Sequence, residues 1–194
     1  MVMRSLSKEE RYEFYHNYLV KHFHQSEVKS LILIERLVQQ EKYLCCGFFE
    51  EDHPLGYAYF AGSSGGRMLL LDYYAVLEEY RSQGLGGKFI KEIEEYQAGR
   101  YAVLMAEVEN PDYSEDEDSR RIRERRIQFY LRNGFEMSKV LSRVLTDEYN
   151  IMYKAWKGQA EDSAICEGMQ RLYREIFDEE FYRNHVQVRI ERAE

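Results

Sequence analysis

Apolar positions recur along this chain with two periods, and the switches between them predict its elements. Ser7-Lys8-Glu9-Glu10 has the form of a capping box, in which the Ser7 hydroxyl accepts from the Glu10 amide and the Glu10 carboxylate reaches back. A helix is expected from there to about His22, with Tyr15, Leu19 and Phe23 near one face. A second is expected from about Glu27 to Lys42 with Leu31, Ile34 and Val38 inward, although Leu31-Ile32-Leu33-Ile34 also suits a strand. Tyr43 to Phe49 and Leu55 to Ala61 then read as an antiparallel hairpin around Glu50-Glu51-Asp52-His53-Pro54. Gly62-Ser63-Ser64-Gly65-Gly66 makes the next turn, and a longer strand runs from Arg67 to about Leu77.

A charged loop and a glycine-rich turn follow, leading into a helix with Phe89, Ile90, Ile93 and Tyr96 on one side and Gly99 at its end. Tyr101 to Val108 is an apolar strand. Because a helix separates it from the strand before, the pair is expected to run parallel through a right-handed crossover. Asn110 to Asp118 is an acidic loop broken by Pro111, with Asp118 or Ser119 as cap of a helix that ends near Arg132 at Asn133-Gly134. Phe135 to Leu145 and Tyr149 to Trp156 read as a second hairpin.

These elements make an α/β domain with a mixed sheet over residues 1–157. From Gly158 an extension carries an amphipathic helix (Ile165, Met169, Leu172, Tyr173, Ile176) and a last strand, Val186 to Ile190. The apolar face of that helix must be buried, on the same domain or in a homodimer.

Composition narrows the partners. The net charge of −8 argues against nucleic-acid binding, which needs basic surface to neutralise phosphate. No run approaches the roughly 20 apolar residues that span a bilayer, so no membrane partner is expected. The amino-terminal residues turn charged at once and offer no apolar signal-peptide core, and an odd count of three cysteines without metal-ligand spacing argues for reduced thiols in a cytoplasm. Cys45 and Cys46 point to opposite faces of a strand, as small apolar fillers do. His16, His22, His24 and His53 are expected on the surface and form no metal site.

The sharpest chemical signal is Tyr80-Arg81-Ser82-Gln83-Gly84-Leu85-Gly86-Gly87-Lys88, between a strand and a helix. Glycines let the backbone adopt positive φ and approach a ligand, and the first helical amides lack internal partners. With the helix dipole they make an anion site suited to phosphate, to which Arg81 can add a charge-assisted bond. A P-loop would need glycine at position 82, where Ser82 stands, and Ser or Thr at 89, where Phe89 stands. A dinucleotide fingerprint fails at the same phenylalanine.

Arg81-x-x-Gly84-x-Gly86 resembles the cofactor motif of the GNAT superfamily of acyl-CoA-dependent N-acetyltransferases. It follows Leu71-Asp72-Tyr73-Tyr74-Ala75-Val76, which resembles the strand preceding that motif. Phe129-Tyr130 through Gly134-Phe135 is similar to the family's late helix-to-strand element. The matched stretch covers residues 67 to 135.

The resemblance implies a mixed, mostly antiparallel sheet with a splayed central parallel pair, flanked by helices. It also implies acetyl-CoA as cosubstrate and no metal. The pantetheine arm would pair with backbone at Ala75 and Val76, and the pyrophosphate would sit on amides of Arg81, Ser82, Gln83, Gly84, Leu85, Gly86 and Gly87. Tyr130 would act as general acid for the leaving thiolate. Glu107 and Glu109, two apart on one strand face, are candidates for the base, with Asp72 a third. Arg123 and Arg126 stand where the family often has Asn and Ala. They would contact a cofactor phosphate or an acidic substrate group, or pair with Glu115-Asp116-Glu117-Asp118. Carboxylates around the site favour a cationic acceptor such as a polyamine, an aminoglycoside, or a lysine or N-terminal amine. A non-catalytic acyl-CoA sensor would keep the glycine turn but need no Tyr130.

Overall fold

The structure is a computed structural model that describes residues 1–62 and 66–191. The expected turn at 62–66 therefore falls largely outside the described residues. The chain forms two compact units, one of residues 1–65 with 71–99, the other of residues 66–70 with 100–194.

The first unit begins with β1 (Val2–Ser5), which sequence reasoning missed because it is four residues long and buries only Met3. Then come α1 (Lys8–Phe14), a π-helical turn (Tyr15–Leu19), α2 (Val20–His22) and α3 (Leu31–Gln39). The Ser7–Glu10 capping box is present in full. Phe14 and Leu19 are both buried although five residues apart. The wider π turn brings such a pair to one face, replacing the expected stripe of Tyr15, Leu19 and Phe23. The second helix is real but shorter than expected. Ser30 caps it and Ile34 and Leu37 fill its inner face.

The hairpin forms from β2 (Tyr43–Glu50) and β3 (His53–Ala61), with Cys45 opposite Tyr59 and Cys46 opposite Ala58. All three cysteines are buried and none is joined in a disulfide. β4 (Met68–Val76) runs antiparallel to β3, since the Leu77 amide beyond its end donates to Leu55 at the start of β3. The strand order in this unit is β1-β2-β3-β4. After a 3₁₀ turn (Glu78–Tyr80) the unit closes with α4 (Leu85–Gln97), which buries Phe89, Ile90 and Ile93. Gly99 is not left-handed; the helix ends on Ala98 in right-handed geometry. His22 is half-buried rather than a surface residue, its Nδ1 3.0 Å from the Tyr57 hydroxyl.

The second unit contains β5 (Val103–Glu109), a 3₁₀ turn (Pro111–Tyr113), α5 (Glu117–Arg132), β6 (Glu136–Val144), β7 (Asp147–Ala155), α6 (Asp162–Ile176), α7 (Glu179–His185) and β8 (Val186–Ile190). With the first residues of β4 the order is β4-β5-β7-β6-β8. The amides of Ala102 and Val103 both donate to the Arg67 carbonyl, so β5 starts beside the start of β4 and the two run parallel. The other pairings are antiparallel. Asp116 caps α5 through the Ser119 amide, in place of the expected Asp118 or Ser119. Ile165, Met169, Leu172, Tyr173 and Ile176 are all buried in this unit, and β8 extends the sheet from β6. The seven-residue α7 escaped sequence reasoning. Among the described residues no helix is long and apolar enough to cross a membrane.

Candidate functional site

The glycine turn belongs wholly to the first unit. Arg81 leaves the 3₁₀ turn in extended geometry, Ser82 has φ +63°, and Gly84 has φ +76° as N-cap of α4. A non-glycine residue at positive φ costs on the order of 1 kcal/mol, so Ser82 stores strain at this turn. Gly84 offers no side chain to cap the helix, and a Cβ built on it would meet nothing within 4 Å. Arg81, Ser82, Gln83 and Gly84 are exposed, and Leu85, Gly86 and Gly87 are half-buried. The first-turn amides therefore open toward an accessible space, with the positive end of the helix dipole behind them.

Side chains brace the turn from below. The Tyr74 hydroxyl donates to the Gly86 carbonyl at 2.6 Å and Gln83 Nε2 to the Glu79 carbonyl at 3.2 Å. Arg81 Nε donates to the Val76 carbonyl at 3.2 Å, which ties the guanidinium to the end of β4 while the residue stays exposed. Arg81 thus competes for the carbonyl that the resemblance assigned to the pantetheine arm. Asp72 is committed elsewhere: Lys29 Nζ lies 2.9 Å away and the Tyr43 hydroxyl donates to its other oxygen.

The second unit holds the remaining candidates. Tyr130 sits in the last turn of α5, where Asn133 Nδ2 bonds the Phe129 carbonyl and Gly134 turns left-handed with φ +81°. The Phe135 amide returns to the Tyr130 carbonyl, and the two rings meet edge-on with centroids 4.9 Å apart. Burial pushes the Tyr130 phenol up to about 12, opposed by Arg126. Its hydroxyl makes no hydrogen bond among the described residues.

Glu107 and Glu109 share a strand but not a fate. Glu107 Oε1 accepts from Ser142 Oγ at 3.0 Å and from the Tyr173 hydroxyl. Glu109 pairs with Arg123 Nε at 3.5 Å and with Arg126. Arg123 also donates to the Asn110 carbonyl at 2.9 Å. Ion pairs to Glu117 and Asp118 come from Arg121 instead.

Sequence reasoning missed Tyr173 and Ser142 as partners of Glu107, since Tyr173 reads as one more apolar-face residue of α6. Among the described residues no group of three or more His, Cys, Asp or Glu side chains could hold a metal ion.

Residues 41–137 match the family described as the acetyltransferase (GNAT) domain. YjbC of Bacillus subtilis (strain 168), named among the acetyltransferases, is 28% identical over 174 residues, spanning 84% of this chain and 83% of its own. A GNAT-family structure from Bacteroides thetaiotaomicron superposes with a TM-score of 0.71 at 18% identity, covering 90% of this chain and 96% of that one. An aminoglycoside 6'-N-acetyltransferase solved with coenzyme A gives a TM-score of 0.57 at 12% identity, covering 83% of this chain and 100% of that one.

Proposed function

Since this chain belongs to the GNAT acetyltransferase family and is an acyltransferase, we propose that it moves an acetyl group from acetyl-CoA to a primary amine by direct attack in a ternary complex. The observation that carries the reading is the exposed start of α4, with Ser82 and Gly84 both left-handed and no side-chain cap.

The residues fit the cosubstrate. Amides from Arg81 to Gly87 would hold its diphosphate, as uncapped helix termini hold anions. Once bound, the cosubstrate supplies a thioester as the acyl donor. The amine nitrogen attacks the thioester carbonyl, the C–S bond breaks, and the Tyr130 hydroxyl gives its proton to the departing sulfur. A phenol with a raised pKa stays protonated until that moment. The amine proton passes to a carboxylate, directly or through water. Glu107 suits this better than Glu109, whose oxygens face Arg123 and Arg126. A free Tyr130 hydroxyl favours the enzyme over a sensor, which would need no acid. Carboxylates on β5 favour a cationic acceptor.

Calorimetry with acetyl-CoA, repeated on Gly86→Val, tests the cosubstrate site. Affinity should fall at least tenfold, because a β-branched side chain stiffens and crowds the turn; unchanged affinity removes the assignment. Free-thiol release across a panel of primary amines then separates an enzyme from a binding protein.

A further inference from the structure

We infer that Tyr173, delivered by α6, is a positioning residue that orients and ionises Glu107 as the base of the transfer reaction, with Ser142 as its second support. The inference rests on the transferase reading above. Its own basis is a compact cluster from three elements of the second unit: Glu107 on β5, Ser142 on β6 and Tyr173 on α6. Ser142 is wholly buried and Tyr173 is 2% exposed, whereas Glu107 is half-buried. The two hydroxyls lie 3.1 Å apart and both donate to the same carboxylate oxygen, Oε1.

Two donors on one oxygen fix the plane of the carboxylate and favour its charged form. A proton acceptor must be ionised and held still, and here a neighbouring helix does both. The Tyr173 phenol is in turn held well above its ordinary range by burial and by the Glu107 charge, so it remains a donor. Tyr149 of β7 is a further titratable group whose charge acts on that phenol. In the reaction the ammonium form of the acceptor first loses a proton to solvent. Its nitrogen then attacks the thioester, and Glu107 takes the remaining proton released as the new amide forms. Tyr173 and Ser142 keep their own protons throughout.

The test uses the full chain with carbon-13-labelled glutamate carboxyls, the Glu107 signal being assigned by its loss in Glu107→Gln. Tyr173→Phe retains the ring and its contact with Phe177, and Ser142→Ala removes the second donor with little change of volume. Each should raise the Glu107 titration midpoint by about one pH unit. Tyr173→Phe should lower kcat about tenfold with the acetyl-CoA KM unchanged, and should cost nothing further in the Glu107→Gln background. The acid limb of its kcat/KM profile should move up with the carboxyl midpoint. A protein that releases no thiol with any amine overturns the transferase reading. A working transferase in which Tyr173→Phe leaves both the Glu107 midpoint and kcat unchanged overturns this inference alone.

Discussion

The Phe89 ring of α4 lies flat on Phe48 of β2, with centroids 3.9 Å apart and planes within 2° of parallel. Both are fully buried, and Gly56 of β3 leaves the space into which Phe89 descends. The stack packs the first half of α4 onto β2 within the first unit.

A methyl group at position 56 would run into the Phe89 ring and the Ala75 carbonyl. Gly56→Ala should therefore destabilise the protein by about 1–3 kcal/mol through overpacking. Phe89→Ala should cost about 3–5 kcal/mol through the cavity it leaves. Denaturant unfolding measures both. The first should also weaken acetyl-CoA binding beyond its effect on the folded fraction, because it tilts the helix.

Gly84 presents the opposite case, since space is free and backbone geometry is the constraint. Gly84→Ala places an L side chain at φ +76°, at a cost of roughly 1 kcal/mol. Thermal unfolding should register that loss. Calorimetry should show weaker acetyl-CoA binding as the turn relaxes toward negative φ. An Asn at this position, which tolerates the left-handed region better, should recover part of both losses.

Tyr130→Phe should lower kcat about 10²-fold while leaving acetyl-CoA affinity nearly intact, as expected for loss of a general acid. Equal turnover in the two proteins rejects the acid role. The wild-type phenol titrates near 12 in the folded protein and near 10 when unfolded. Between those values the native state holds the extra proton, so this group's contribution is complete below about pH 10 and is lost as pH rises through about 12. In Tyr130→Phe that part of the alkaline loss of stability should vanish, which urea unfolding between pH 9 and about 11 can read.

Arg11 grips Glu35 with two nitrogens, at 2.6 and 2.7 Å, and its third bond goes to the Leu6 carbonyl at 2.8 Å. Both side chains are under one fifth exposed. Arg11→Ala leaves a partly buried carboxylate without its partner and should cost about 2–4 kcal/mol, discounted for remaining solvent contact. Adding Glu35→Ala to it should cost little more, and a double-mutant cycle by chemical denaturation checks this.

The glycine turn and α4 were legible because their signals are local: Gly84 and Gly86 stand between a strand pattern and the helical spacing of Phe89, Ile90 and Ile93. The hairpins and α6 were legible for the same reason. The π turn was not, since a 3.6-residue template cannot pair Phe14 with Leu19. Nor were the partners of the candidate bases. Arg126 reaches Glu109 across 17 residues and Tyr173 reaches Glu107 across 66. Spacing along a chain carries no trace of a meeting that only the completed sheet arranges. Family resemblance pointed to Tyr130 as the expected acid, but whether its hydroxyl is bonded depends on neighbours that spacing along the chain does not reveal.

The distance along the chain between Glu107 and Tyr173 also bears on how the protein comes into being. On the ribosome β5 emerges well before α6, and it must wait even for β7, its antiparallel neighbour, to be made. During that interval the Glu107 carboxylate lacks the Ser142 and Tyr173 hydroxyls that will later donate to it. The second unit is therefore expected to mature late in translation, with slow closure dominated by distant pairings, and a newborn chain paused before α6 would be a target for chaperones rather than a working catalyst.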